Sequence, residues 1–96
     1  MKLKNRVAIV TGSGRGIGKA IALTYAKEGA DVVAVARTDT EIEEVAEEMR
    51  SMGRRALAIP TDVSQKKQVQ AMVQQTLDEF GTVNILVNNA GVAIHN

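Results

Sequence analysis

The sequence predicts an α/β fold built on a parallel sheet. Short apolar runs bounded by turn residues read as strands buried on both faces. Longer stretches with apolar residues three and four apart read as helices. The two alternate in the order β-α-β-α-β-α-β, and every crossover is long enough to hold a helix. Right-handed crossovers then place the strands parallel.

Val7-Ala8-Ile9-Val10 is the first strand, held between Arg6 and a glycine cluster. Gly16 to Glu28 carries Ile17, Ala20, Ile21 and Thr24 at helical spacing, and Gly29 follows as a stop. The single tyrosine, Tyr25, falls in this helix and is expected in the core. Asp31 to Ala36 contains Val32-Val33-Ala34-Val35, a second buried strand. Thr38 with Glu41 offers a capping box for the next helix, and Thr40 with Glu43 fits as well. That helix places Ile42, Val45, Ala46 and Met49 on one stripe. Its start is acidic (Glu41, Glu43, Glu44) and its end basic (Arg50, Arg54, Arg55), which suits the helix dipole, and Gly53 closes it. Ala56 to Ile59 is a third strand, ended by Pro60. Ser64 is the expected N-cap of a third helix burying Val69, Met72, Val73, Thr76 and Phe80, stopped by Gly81. Val83 to Val87 is the fourth strand, and Asn88-Asn89-Ala90-Gly91 its exit turn.

Composition narrows the function. A length of 96 residues indicates one domain with a thin core. Lys plus Arg is 12 and Asp plus Glu 11, a balance that argues against a polyanion-binding surface. Two aromatic residues, Tyr25 and Phe80, are too few for a base-stacking platform, so no nucleic-acid partner is expected. Without cysteine, and with His95 the one histidine, neither disulfides nor a thiolate or multi-histidine metal site is expected. No apolar run approaches the roughly 20 residues that span a bilayer. The basic start, Met1 to Arg6, has no long apolar stretch after it and does not read as a signal peptide. A cytoplasmic protein with no membrane partner is the expectation.

Chemistry concentrates where strands end. The first strand runs into Thr11-Gly12-Ser13-Gly14-Arg15-Gly16-Ile17-Gly18, with a glycine at every second position from Gly12. Glycine at a strand-to-helix turn permits a tight backbone and close approach of a phosphate. The helix start supplies free N–H groups and the positive end of the dipole. The strict G-x-G-x-x-G spacing is absent, because the third position falls on Ile17 or Lys19; the pattern is T-G-x-x-x-G-x-G. A P-loop is absent too, since Gly18-Lys19 is followed by Ala20. A packed turn without a ligand is the alternative for this glycine run.

A dinucleotide site commonly has an acidic residue about 20 positions on, at the end of the second strand, for the ribose hydroxyls. Here Arg37 occupies that place. A guanidinium there suits a 2′-phosphate, and Arg15 in the glycine turn suits the same group. The pair favours NADP(H), with NAD as the alternative cofactor. Each arginine by itself also reads as a solvated surface charge. After the third strand, Asp62-Val63 offers a carboxylate for an adenine amino group, or a loop Asp that helps start the next helix. After the fourth, Asn88 and Asn89 offer amides that lock neighbouring strands, and Ala90 and Gly91 let a cofactor lie close; a plain Asx turn is the alternative.

T-G-x-x-x-G-x-G, then Asp62-Val63, then Asn88-Asn89-Ala90-Gly91, in this order, resembles the short-chain dehydrogenase/reductase family, and its 3-oxoacyl-carrier-protein-reductase-like and glucose-dehydrogenase-like branches in particular. The likeness runs from about Leu3 to Ala93. It implies a Rossmann-type sheet of four strands in order 3-2-1-4 with three helices, half of a doubly wound fold. By that similarity Gly12, Ser13, Arg15, Gly16, Ile17 and Gly18 surround the pyrophosphate and adenosine ribose. Arg37 and Thr38 take the 2′-phosphate, Asp62 and Val63 meet the adenine, and Asn89, Ala90 and Gly91 meet the riboses. The family passes hydride between nicotinamide and a carbonyl or alcohol carbon.

The family's catalytic Ser and Tyr-x-x-x-Lys pair have no counterpart here. Tyr25 is followed four positions on by Gly29, and His95 is not assigned as a substitute acid. No catalytic residue is therefore expected. The length then reads as a cut just after the fourth strand of a larger fold. The first two helices are expected on one face of the sheet and the third on part of the other. Ile85-Leu86-Val87 is left as a bare edge, a predicted self-association site. The alternative function is a non-enzymatic nucleotide-binding or self-associating module; a flavodoxin-like domain fits the glycine run poorly.

Overall fold

The computed structural model describes residues 1–89, so Ala90, Gly91 and His95 lie outside the described residues. The order is β1 (Val7–Thr11), α1 (Gly16–Lys27), β2 (Asp31–Ala36), α2 (Asp39–Ser51), β3 (Ala56–Pro60), α3 (Lys66–Phe80) and β4 (Ile85–Asn88). All pairings are parallel, and the strands lie in the order β3-β2-β1-β4. β1 and β2 are central, which is why Val7 to Val10 and Val32 to Val35 are apolar at consecutive positions and buried on both faces. Pro60 closes β3 opposite Ala36; the missing N–H is tolerated because β3 is an edge strand.

Side chains alternate between two cores. Val10, Val32, Ala34 and Ala56 pack with Ala22 and Ala26 of α1 and with Ile42, Val45, Ala46 and Met49 of α2. Ile9, Val33, Val35 and Ile59 pack with Met72 of α3, flanked by Val69, Val73 and Phe80. The expected stripe of α2 is the buried one; that of α3 faces the sheet but is fully buried only at Met72 and Thr76, with Val69, Val73 and Phe80 half-buried.

The stripe of α1 differs from expectation. It buries Gly18, Ala22 and Ala26. Ala20 and Thr24 are exposed, Ile21 is half-buried, and Ile17 is 73% exposed. The helix lies so close to the glycine turn and the sheet that only the smallest side chains fit between them. Ala22→Leu should therefore cost about 1–3 kcal/mol by overpacking, whereas Ala20→Leu should change stability by less than about 0.5 kcal/mol. Chemical denaturation of the two variants checks this; equal losses would refute the reassigned stripe.

Two expected caps do not form. Thr38 flanks α2 but its side chain makes no cap bond. Glu41, its expected partner, lies instead over Gly14: a Cβ placed on Gly14 would stand 2.8 Å from Glu41 Oε1 and 3.0 Å from Glu41 Cβ. Ser64 does not cap α3, which starts at Lys66 after Gln65. Its hydroxyl is engaged by the Asp62 carboxylate at 2.7 Å, a charge-assisted bond stronger than a neutral cap.

β4 begins at Ile85, two residues later than expected, because Asn84 clamps the start of β1. Its side-chain oxygen accepts from Val7 N–H at 2.8 Å, and its own N–H donates to Val7 O at 2.9 Å. Among the described residues β4 has one neighbour, β1. Leu86, in register with buried Ile9, is 63% exposed, so α3 leaves that part of its face bare. Among the described residues no helix is long and apolar enough to cross a membrane.

Candidate functional site

In a parallel sheet every strand delivers its C-terminal end to the same edge. Thr11, Ala36, Pro60 and Asn88 end β1 to β4 there. The chain reverses its direction of strand addition on either side of β1, which opens a crevice at that edge. Three of the four segments singled out in the sequence meet beside it.

The glycine turn is built by close packing. Gly12 and Gly16 sit at φ 65° and 62°, in the left-handed region. Gly18 lies beneath Gly12: a Cβ there would overlap the Gly12 carbonyl oxygen and stand 2.8 Å from Asn89 Nδ2. Asn89 Nδ2 donates to that same Gly12 oxygen at 3.4 Å. The Thr11 hydroxyl reaches Val87 O at 3.3 Å and Asn88 Oδ1 at 3.2 Å. The two asparagines thus tie β4 to β1 and to the turn, as the amide reading of the sequence expected.

Ser13 is fully buried and serves the fold. Its N–H donates to Val35 O at 3.2 Å, and its hydroxyl oxygen accepts from Val35 N–H at 2.9 Å. This continues the β1–β2 ladder one step past β1. Arg15 flanks α1 in extended backbone without a side-chain cap, and the first turn of α1 holds no acidic residue. Among the described residues no side chain caps the N–H groups of that turn, and the carboxylate of Glu41 lies close by, over Gly14. α2 contrasts with it, having Asp39 and Glu41 in its first turn. Gly16 leaves open space where a side chain would stand. An anion is the ligand such an end accepts.

Beside the turn is a cleft of about 320 Å³ lined by Gly12, Ala36, Arg37, Thr61, Asp62, Val63 and Ser64. It gathers the predicted residues Gly12, Arg37, Asp62 and Val63 from three separate loops. Thr38, although exposed next to Arg37, is not among its lining. Among the described residues neither Arg15 nor Arg37 forms an ion pair, whereas Lys19, Arg50 and Arg55 all do. Asp62 is held below the usual carboxylate range by the hydroxyl and N–H of Ser64, with Arg37 adding to the effect. It is accordingly a charged acceptor at neutral pH. Thr61, Ser64 and Ala36 line the cleft without having been anticipated. For Ser64 the signal was the D-x-S spacing, which favours a local turn over a helix cap.

A wider groove of about 650 Å³ runs between α1 and α2. It is lined by Glu43, Glu44, Glu47 and Glu48 with Lys19 and Ser51, and such a surface repels an anion. Among the described residues no group of acidic or histidine side chains is placed to hold a metal ion.

A family model described as short chain dehydrogenase matches residues 6–96. The short-chain dehydrogenase/reductase homolog YusS of Bacillus subtilis is 46% identical over 97 residues, covering 99% of this chain and 88% of that one. An uncharacterized oxidoreductase of Mycobacterium tuberculosis is 41% identical over 95 residues; this chain spans 36% of its length. Glucose dehydrogenase of Caenorhabditis elegans, solved in its apo form, superposes with a TM-score of 0.86 at 34% identity, over 93% of this chain and 39% of that one. Sheet order, glycine turn and these matches agree: the chain belongs to the short-chain dehydrogenase family.

Proposed function

We propose that these residues form the NADP(H)-binding portion of an oxidoreductase that moves hydride between nicotinamide and a carbonyl or alcohol carbon. The family uses a nicotinamide dinucleotide, and a dinucleotide suits the residues present. The uncapped start of α1 and the open side of Gly16 suit the pyrophosphate. The cleft between Gly12 and Asp62 has room for adenosine, with the charged Asp62 as acceptor for the 6-amino group. When bound, the nicotinamide supplies the hydride chemistry. This chain's share is to bind and orient, because no Tyr-x-x-x-Lys pair occurs within its 96 residues.

The observation that carries the phosphate assignment is Arg37 lining the cleft beside the glycine turn, outside any ion pair among the described residues; Arg15, which flanks the start of α1, is a second cation on the same turn. A 2′-phosphate is an anion that a guanidinium fork accepts. Isothermal titration with NADPH and NADH tests the proposal: NADPH should bind more tightly. Equal affinities would overturn the 2′-phosphate assignment, and binding of neither would overturn the dinucleotide reading.

Leu86 on the edge of β4, which is unpaired among the described residues, favours a second reading, a nucleotide-binding module that self-associates through that edge. Analytical ultracentrifugation separates the two: a discrete dimer that Leu86→Lys dissociates supports the module, and a monomer removes it.

A further inference from the structure

Asp62 is fixed from several sides. The preceding residue, Thr61, is buried, its N–H donating to Ala36 O at 2.8 Å and its hydroxyl to Ile59 O at 3.1 Å. The N–H of Asp62 donates to Gln68 Oε1 at 2.8 Å. On the carboxylate, both contacts come from Ser64 and both fall on Oδ1: the hydroxyl at 2.7 Å and the N–H at 3.0 Å. Oδ2 accepts no hydrogen bond among the described residues. The arrangement therefore divides the carboxylate into one oxygen held by the protein and one left to accept from a ligand. Arg37 is the cation acting on this carboxylate, and it lines the same cleft. Without Ser64, the side chain is free to turn toward that guanidinium, which would neutralise both groups.

We propose that Ser64 is a positioning residue for base recognition, orienting the Asp62 carboxylate so that the cleft takes a 6-aminopurine in preference to a 6-oxopurine. The inference rests on the dinucleotide reading above and adds to it a determinant of which base is bound. An ionised carboxylate is an acceptor only. It pairs with the donating 6-amino group of adenine and repels the accepting 6-oxo group of hypoxanthine. Rejection is the stronger half of this selection, because a misoriented acceptor pair leaves two groups desolvated and unmatched.

The test is calorimetric titration of the protein with NADPH and with its hypoxanthine analogue. The wild type should prefer NADPH. Ser64→Ala should cut that preference about tenfold, the scale of one lost hydrogen bond to a charged group. Ser64→Thr, which keeps the hydroxyl, should retain it. A role in folding alone would weaken both ligands together and leave their ratio unchanged. An unchanged ratio in Ser64→Ala therefore overturns the proposal, as does a wild type that binds both analogues equally. A wild type that binds neither overturns the dinucleotide reading itself, so the two failures are distinct.

Discussion

Gly18→Ala should be among the most damaging single substitutions in this chain. The added methyl would overlap the Gly12 carbonyl oxygen and stand 2.7 Å from the Gly12 carbonyl carbon. Both atoms belong to backbone, and Asn89 holds that oxygen from the other side. No flexible side chain can absorb the overlap, so either α1 moves off the sheet or the glycine turn opens. Overpacking of this kind costs about 3 kcal/mol or more, and the roughly 1 kcal/mol that Ala gains over Gly in a helix does not offset it. A small domain whose total stability is about 5–15 kcal/mol loses a large share of it. Gly16→Ala is the control. Gly16 has positive φ but open space around it, so only backbone strain of about 1–2 kcal/mol is expected. Urea unfolding of both variants decides the matter. If Gly18→Ala is no worse than Gly16→Ala, contact between α1 and the turn is not what demands glycine.

Arg37→Ala should have the largest effect on binding. Charge-assisted hydrogen bonds contribute about 1.5–3 kcal/mol, so NADPH affinity should fall about tenfold or more. NADH, which has no 2′-phosphate, should bind within about twofold of the wild type, and the preference between the two should vanish. Arg37→Lys should fall between, because an ammonium keeps the charge but not the planar fork. Arg37 is exposed, so raising the ionic strength should shrink the NADPH advantage in the wild type and do little in Arg37→Ala. Calorimetry at two salt concentrations reads all of these. An Arg37→Ala protein that still prefers NADPH would remove Arg37 from the site.

The elements most legible in the sequence were those whose pattern has one physical solution. Val32-Val33-Ala34-Val35 is apolar at every position, and only a central strand covered on both faces accepts that. Ile42, Val45, Ala46 and Met49 recur at helical spacing and form the buried stripe of α2. Prediction failed where side chains had a choice of partner. Thr38 and Glu41 match a capping box, yet Glu41 packs over Gly14, a residue distant in sequence. Ser64 matches an N-cap, yet an anionic acceptor two residues back outcompetes the helix. On α1 the hydrophobic pattern pointed to Ile17 and Ile21, whereas the buried stripe is Gly18, Ala22 and Ala26. Closeness of approach, and not hydrophobicity, selects that face.

The sequence by itself determined the alternation of strands and helices, the parallel sheet and the places where chemistry concentrates. These follow from local periodicity and from glycine, asparagine and charged residues at strand ends, all readable without knowing what lies opposite. Tertiary structure alone decided which of those residues meet. It put Gly12, Arg37 and Asp62 around one cleft, turned Ser13 inward to extend the ladder, and laid Glu41 over Gly14. The physical reason is that hydrogen bonds and steric contacts act between surfaces brought together by the sheet, and one sequence pattern is compatible with several such partners until the packing selects one.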